Sequence, residues 1–347
     1  MKLKIFIFLF IATFLIISCK KTKTPRSIEK VSIEEIVIDS SSIRAIYAMK
    51  DSSLFYATSD GYLGLVLPSL KNLKDKRVFY DTIVPHFRAI ASNSEHIFML
   101  SVGNPALLYK YNDGNLDIVY KEKHEKVFYD AMAFFDSKNG IAMGDPTDDC
   151  LSVILTNDGG KSWNKVPCDN LPKINEGEAA FAASNSNIAI HGKNTWLVTG
   201  GKSARVFHSP NMGKTWKVYE TPIIQGGQMT GIYSVDFHDA KNGIIFGGDW
   251  NDKDNNKSNK AVTKDGGKTW QLIADGNEPG YKSCVQYVPN TNGKELVAVG
   301  TTGVSFSNDG GTTWKKVSDD GYYTIRFVNK NFAWLAGNKK IGKMVLP

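Results

Sequence analysis

Thr263-Lys264-Asp265-Gly266-Gly267-Lys268-Thr269-Trp270 recurs three more times in the 347-residue chain, as Thr156–Trp163, Ser209–Trp216 and Ser307–Trp314. Only the Ser209 copy departs from the pattern, with Asn211 in the Asp position. The tryptophans fall 53, 54 and 44 residues apart, the length of one four-stranded antiparallel unit. The pattern has a local physical logic. An Asp or Asn side chain accepts from amides just ahead of it, a hydroxyl supports the same turn, glycine supplies a positive φ, and the tryptophan opens the next strand with a large ring to bury. Gly-Lys-Ser/Thr at Gly160, Gly213, Gly267 and Gly201 invites a phosphate-loop reading. That loop needs a further glycine five residues earlier, where this chain has Leu155, His208, Val262 and Trp196, so the reading fails.

Working outward, a second pattern precedes the turns. Phe135-Asp136-Ser137-Lys138-Asn139-Gly140 and His238-Asp239-Ala240-Lys241-Asn242-Gly243 each read as strand, tight hairpin, strand. Similar strand pairs occur at 43–66, 87–108, 179–199, 284–299 and 324–336, giving seven units, the first two with only turn remnants at Ser59-Asp60-Gly61 and Asn112-Asp113-Gly114. The last unit has no room for a fourth strand. The β-rich segment 33–38 is expected to supply it and to join the two chain ends, leaving no open sheet edge.

The four turns have the form of the Asp-box, or BNR repeat, and the whole mature chain resembles the BNR-repeat group related to photosystem II stability and assembly factors, including a lipoprotein branch in Bacteroidetes-type bacteria. The resemblance implies an all-β, seven-bladed β-propeller over residues 32–347, with the repeat turns at the rim and any site at the opposite mouth of the axial channel. It says little of activity, because the same turn serves glycan-active enzymes, sorting receptors and assembly factors. Some relatives carry an oxidoreductase label, but no dinucleotide fingerprint, Cys-x-x-Cys or haem attachment motif supports one here. No cofactor is expected.

The N-terminus reads as a leader. A basic start and the apolar run 5–17, too short for a membrane span, are followed by Leu15-Ile16-Ile17-Ser18-Cys19, which resembles a lipobox. Residues 1–18 are thus expected to be a signal peptide, with Cys19 lipidated and 19–31 a basic tether. Lys20 after the cysteine, and no acidic tract, point to an outer-membrane lipoprotein facing the periplasm. Of the +7 formal charge, +6 lies in the first thirty residues, leaving +1 for the rest. A broad nucleic-acid-binding surface is not supported.

Aligning the innermost strands gives a column of small residues, Ala45, Ala89, Ala131, Ala179, Ser234, Cys284 and Thr324. The residues before them, Arg44, Arg88, Asp130, Glu178, Tyr233, Ser283 and Tyr323, are expected to ring the channel mouth. The arginines suit a carboxylate or phosphate, while Asp130, Glu178 and Tyr233 are the catalytic candidates in a glycan-hydrolase reading. Alternating charges that merely neutralise one another are the competing reading, and catalysis is the less favoured one. Asp145, Asp249 and Trp250, on loops after second strands, belong to the same face. Asp252, Asp254 and Asn256 start like a calcium loop, but Lys257 and Thr263 break it, so no metal is expected.

Counting outward from the first repeat turn sets Cys150 opposite Cys168, as Thr156 is opposite Ser162. A cross-strand disulfide is predicted, with two unpaired core thiols as the other reading; Cys284 is expected to be core. The function expected is a monomeric binding or assembly module for a protein or glycan partner, with a glycan-active hydrolase as the alternative.

Overall fold

The computed structural model describes residues 26–347. The expected signal peptide and Cys19 lie outside the described residues. Apolar runs such as Leu54–Thr58, Ile97–Ser101 and Gly140–Gly144 form second strands buried along their whole length, because sheets pack against both of their faces. The only helical element among the described residues is the single turn Cys168–Asn170.

Antiparallel meanders of four strands repeat along the chain, for example Phe87–Ser92, Ile97–Ser101, Ala106–Asn112 and Asn115–Glu122. Their innermost strands touch in succession. The second half of Ser32–Ala48 meets Phe87–Ser92, followed by Tyr129–Phe134, Ile188–His191, Thr230–Phe237, Cys284–Tyr287 and Thr324–Asn329, which packs back against Ser32–Ala48. The first half of Ser32–Ala48 pairs with Asn338–Val345, with Ser32 opposite Val345 and Ile36 opposite Ile341. Its second half pairs with Leu54–Thr58. One strand therefore serves the first and the last unit. Residues 26–31, expected as the end of a tether, are held on the body. Ile28 and Val31 are buried, and Arg26 donates through Nε to Glu295 Oε2 at 2.9 Å.

The four repeat turns share one hydrogen-bond scheme. Thr263 Oγ1 donates to Asp265 Oδ1 at 2.8 Å and accepts from Gly267 N at 2.9 Å, while Asp265 accepts from Thr269 N and Oγ1. Asn211 makes the equivalent bonds to Ser209 and Thr215, which explains why the Asp position tolerates it. Each turn needs two consecutive positive-φ residues rather than one. Gly266 and Gly267 supply them in one copy, Met212 and Gly213 in another. The turn also docks on its own unit's first hairpin. Gly159, Met212, Gly266 and Gly310 donate their N–H to the carbonyls of Lys138, Lys193, Lys241 and Lys294.

Three expectations are corrected. Ser59-Asp60-Gly61 is not a remnant of the repeat turn, because it joins second and third strands and so lies on the opposite face, although Thr58 Oγ1 bonds Asp60 in a similar way. Cys150 and Cys168 are disulfide-bonded with Cα atoms 5.5 Å apart, but not as directly opposed strand residues. The ladder sets Ile154 opposite Lys165, one residue off the counted register, and Cys168 sits in the helical turn. The fourth unit begins differently from its neighbours. Glu178–Ala179 is a two-residue strand against Gly200–Gly201, and the innermost strand is Ile188–His191. Cys284 is a free buried thiol, as expected.

Candidate functional site

Residues 180–187, which the alignment had taken as strand, cross the axis instead. Arg44 and Arg88 donate to the carbonyls of Ala183 and Ala182, both at 2.8 Å. Asn185 Nδ2 donates to Ile90 O and its Oδ1 accepts from Met132 N. Ser184 Oγ donates to Ser283 O, Ser186 Oγ to Ser234 Oγ, and Arg326 Nη2 to the carbonyls of Ser184 and Asn185. This plug bonds to the innermost strands of the other six units and forms a floor beneath the mouth. Its small and polar residues, Ala182-Ala183-Ser184-Asn185-Ser186-Asn187, have little strand preference, a signal the alignment passed over.

Above the floor lies a cavity of about 220 Å³ lined by Arg44, Arg88, Phe181, Tyr233, Trp250 and Tyr281, with Phe128 and Met229 beside them. Its walls are aromatic. Phe181 stacks on Tyr233 with centroids 3.9 Å apart, and Tyr281 meets Tyr233 and Trp250 edge-on. Four ring residues reach the axis by the same backbone device. The ladder slips by one residue at Arg44, Arg88, Asp130 and Tyr233, a β-bulge that turns an extra side chain inward.

The two arginines are unusual in lacking an acidic partner. Among the described residues no carboxylate lies within ion-pair distance of either guanidinium. Arg44 stacks on the Tyr323 ring at 3.7 Å, and its Nε has no hydrogen-bond partner. Burial and the neighbouring Arg44 charge lower Arg88 to about 10. Arg88 Nε donates to His86 Nε2 at 2.8 Å, and burial together with the two arginines lowers that imidazole to about 4, leaving it neutral. His86 was not anticipated; two positions before an expected arginine on one strand is the signal that placed it.

Asp130 does not neutralise this charge. It is fully buried, and neither oxygen meets a donor at hydrogen-bond geometry. Burial, then the adjacent Asp145, push its carboxyl far above the usual range; Arg88 and the nearby amides of Asp145 and Ala182 oppose this only weakly. Burial raises Asp145 to about 6, and its Oδ1 accepts from Ala180 N at 2.8 Å. The pair retains a proton at neutral pH, and Asp145 alone bonds the plug, at Ala180.

The remaining expected residues lie elsewhere. Glu178 is not at the mouth. Its carboxylate is buried against Arg205, which bonds both oxygens, and it also accepts from Thr199 Oγ1 at 2.6 Å and Asn175 N at 2.9 Å. Ser283 is buried and donates to Tyr323 O, while Asp249 caps its own loop through Asn251 N. Tyr323 supports Arg44 from behind. Of the catalytic candidates, only Tyr233 lines the cavity, its hydroxyl donating to Met229 O at 2.9 Å.

No family model matches this sequence, and no curated protein matches it. Solved structures do. YCF48 bound to D1 peptide superposes with a TM-score of 0.66 over 92% of this chain and 98% of that one, at 14% identity. The Neurospora crassa Pan2 WD40 domain gives 0.65 over 93% and 98%, at 13% identity. YCF48 from Cyanidioschyzon merolae gives 0.62 over 91% and 99%, at 13% identity. The fold defined by these sheets is that of a β-propeller. Within that class the chain is similar to YCF48 as well as to WD40 domains, at identities that speak for the fold alone.

Proposed function

We propose that this chain is a seven-bladed, Asp-box β-propeller lipoprotein of the cell envelope that acts as a protein-binding module, seating a carboxylate-bearing, partly apolar segment of its partner in the Arg44–Arg88 cavity. The observation that carries this reading is the pair of half-buried arginines with no acidic counterpart, set among aromatic walls. Desolvated guanidinium groups bind carboxylates in a bidentate fashion, and a convergent polar pair in an apolar pocket suits recognition. The YCF48 structure with a bound peptide lends support, since it shares the fold. The seven-blade count rests on the succession of innermost strands, and closure of the ring rests on the shared strand Ser32–Ala48. The lipidated Cys19 and a periplasmic setting remain proposals from the leader sequence; the Cys150–Cys168 bond suits an oxidising compartment. We take the module to be monomeric.

The hydrolase alternative needs two carboxylates within one pocket. Here Glu178 is bound to Arg205 and Asp130 is fully buried and does not line the cavity, so the geometry favours binding. Calorimetric titration of peptides that pair an aromatic side chain with a free terminal carboxylate tests the proposal. Amidating that carboxylate, or the double variant Arg44→Gln/Arg88→Gln, is expected to weaken binding about tenfold or more, the loss of a charge-assisted bond. Equal affinity for the amidated peptide, or preference for a neutral oligosaccharide, would overturn it.

A further inference from the structure

The propeller's two faces differ in charge in a way that the near-zero total for the body conceals. First hairpins and repeat turns share one face, since strands alternate in direction and the turn amides bond the hairpin carbonyls. In four successive units that bond falls on a lysine, Lys138, Lys193, Lys241 or Lys294, and all four side chains are exposed. Lys161, Lys214 and Lys268, also exposed, occupy the sixth position of three of the four repeat turns. None of these seven forms an ion pair among the described residues.

The acids of the same hairpins and turns are engaged by local donors. Asp136 and Asp239 accept amides of their own hairpins, and Asp158 and Asp265 accept hydroxyls and amides of theirs, which hold the latter two carboxyls down at about 2. Over these four units the face therefore presents seven exposed lysines beside acids already bonded within their own turns, whereas the first two units set the exposed acids Asp51, Glu95 and Asp113 at the same face. Acids also crowd the loops of the cavity face, at Asp148, Asp149, Asp252 and Asp254, all exposed.

The chain enters the body on the lysine face. Arg26 bonds Glu295, Asn331 and, through its carbonyl, Asn308, all at the ends of hairpins or repeat turns. The segment before it contains the apolar run 5–17, Cys19 and the basic residues Lys20, Lys21 and Lys23. Six residues lie between Cys19 and Arg26, and the seven residue steps give a reach of at most about 25 Å. We infer that the repeat-turn face docks on an anionic phospholipid surface, so that the cavity points away from the membrane. Lysines on flexible stems suit this contact, which needs density of charge near the headgroups rather than fixed geometry. A cleft of about 400 Å³ on this face is lined by Lys264, Lys294, His238 and Asp309 among others.

The inference rests on the proposed lipid anchor for the location of the membrane, and the experiment separates the two. The mature full-length protein is mixed with vesicles of phosphatidylcholine alone or with phosphatidylglycerol, floated, and treated with a membrane-impermeant amine reagent. Peptide mapping then compares Lys138, Lys193 and Lys241 with Lys126 and Lys257 on the cavity face. About fivefold slower labelling of the first group is expected on anionic vesicles only, and high salt is expected to abolish the difference. In the triple variant Lys138→Glu/Lys193→Glu/Lys241→Glu, Lys161 and Lys214 should regain full reactivity while peptide binding at the cavity persists. Retention with equal labelling of both faces would overturn docking while sparing the anchor. Loss from the vesicles in high salt would remove the anchor; flotation with anionic vesicles at low salt would then still support the face, and its failure would overturn it.

Discussion

Near pH 3 the folded protein and the unfolded chain both hold most of the protons on Asp130 and Asp145. As pH rises, an unfolded carboxyl loses its proton near the ordinary value of about 4, while burial keeps the folded ones protonated, Asp145 to about 6 and Asp130 higher still. The unfolded state then binds fewer protons than the folded state, so stability falls with rising pH across this window. The expected result is a melting temperature that drops between about pH 4 and pH 7. Asp130→Asn should flatten part of that slope, leaving the parts due to Asp145 and Asp236, each of which burial raises to about 6. A wild-type profile that climbs through this range would show the pair to be ionised. Glu178 gives the opposite case. Glu178→Gln leaves Arg205 buried without its charge and should cost about 3 kcal/mol in urea unfolding, with cavity binding unchanged. Arg44, Arg88 and Tyr233 were legible as mouth residues because each precedes a small buried residue on an innermost strand. Glu178 passed the same local test before Ala179, and nothing in a pairwise column distinguishes an innermost strand from a short strand that leads into a plug.

At the level of elements, the repeat turns were readable because all their hydrogen bonds are local. Thr, Asp, Gly and Thr at fixed offsets satisfy one another wherever the chain is placed. Strand register is different, since it depends on the partner strand, and a single irregular residue shifts it. That is why Cys150 and Cys168 were paired correctly through a register one residue in error. The disulfide clips an 18-residue separation that holds the strand Ser152–Thr156, a repeat turn and the two-residue strand Asn164–Lys165. Loop-closure entropy for such a span is worth about 3 kcal/mol, and the double variant Cys150→Ala/Cys168→Ala is expected to lose roughly that in reversible unfolding. If the loss were under about 1 kcal/mol, the fourth strand would be held by packing alone, through Trp163 against Phe98 and Phe134.

At the level of the whole molecule, the question is what joins the last unit to the first. Successive units bury their second strands against one another, a contact that each makes with both neighbours. First and last units would meet the same way, but the last contains only three strands of its own, ending at Asn338–Val345. The segment Ser32–Val37 completes it, and the six residues before that segment bury Ile28 and Val31 and bond Arg26 to Glu295. Deleting residues 26–37 therefore removes two nearly buried aliphatic side chains, worth about 1.5–3 kcal/mol each, and bares a strand whose Ile341 and Met344 are fully buried in the intact chain. An unpaired edge of this kind recruits another strand. The truncated protein should melt at lower temperature and form dimers or larger species on size exclusion, despite Lys340 and Lys343 along the edge. A synthetic peptide spanning residues 26–38, added in trans, should restore the monomer and much of the melting temperature, because its partner strand would still be in place. A truncated chain that stays monomeric with unchanged melting would mean that the terminal strand decorates the ring without closing it.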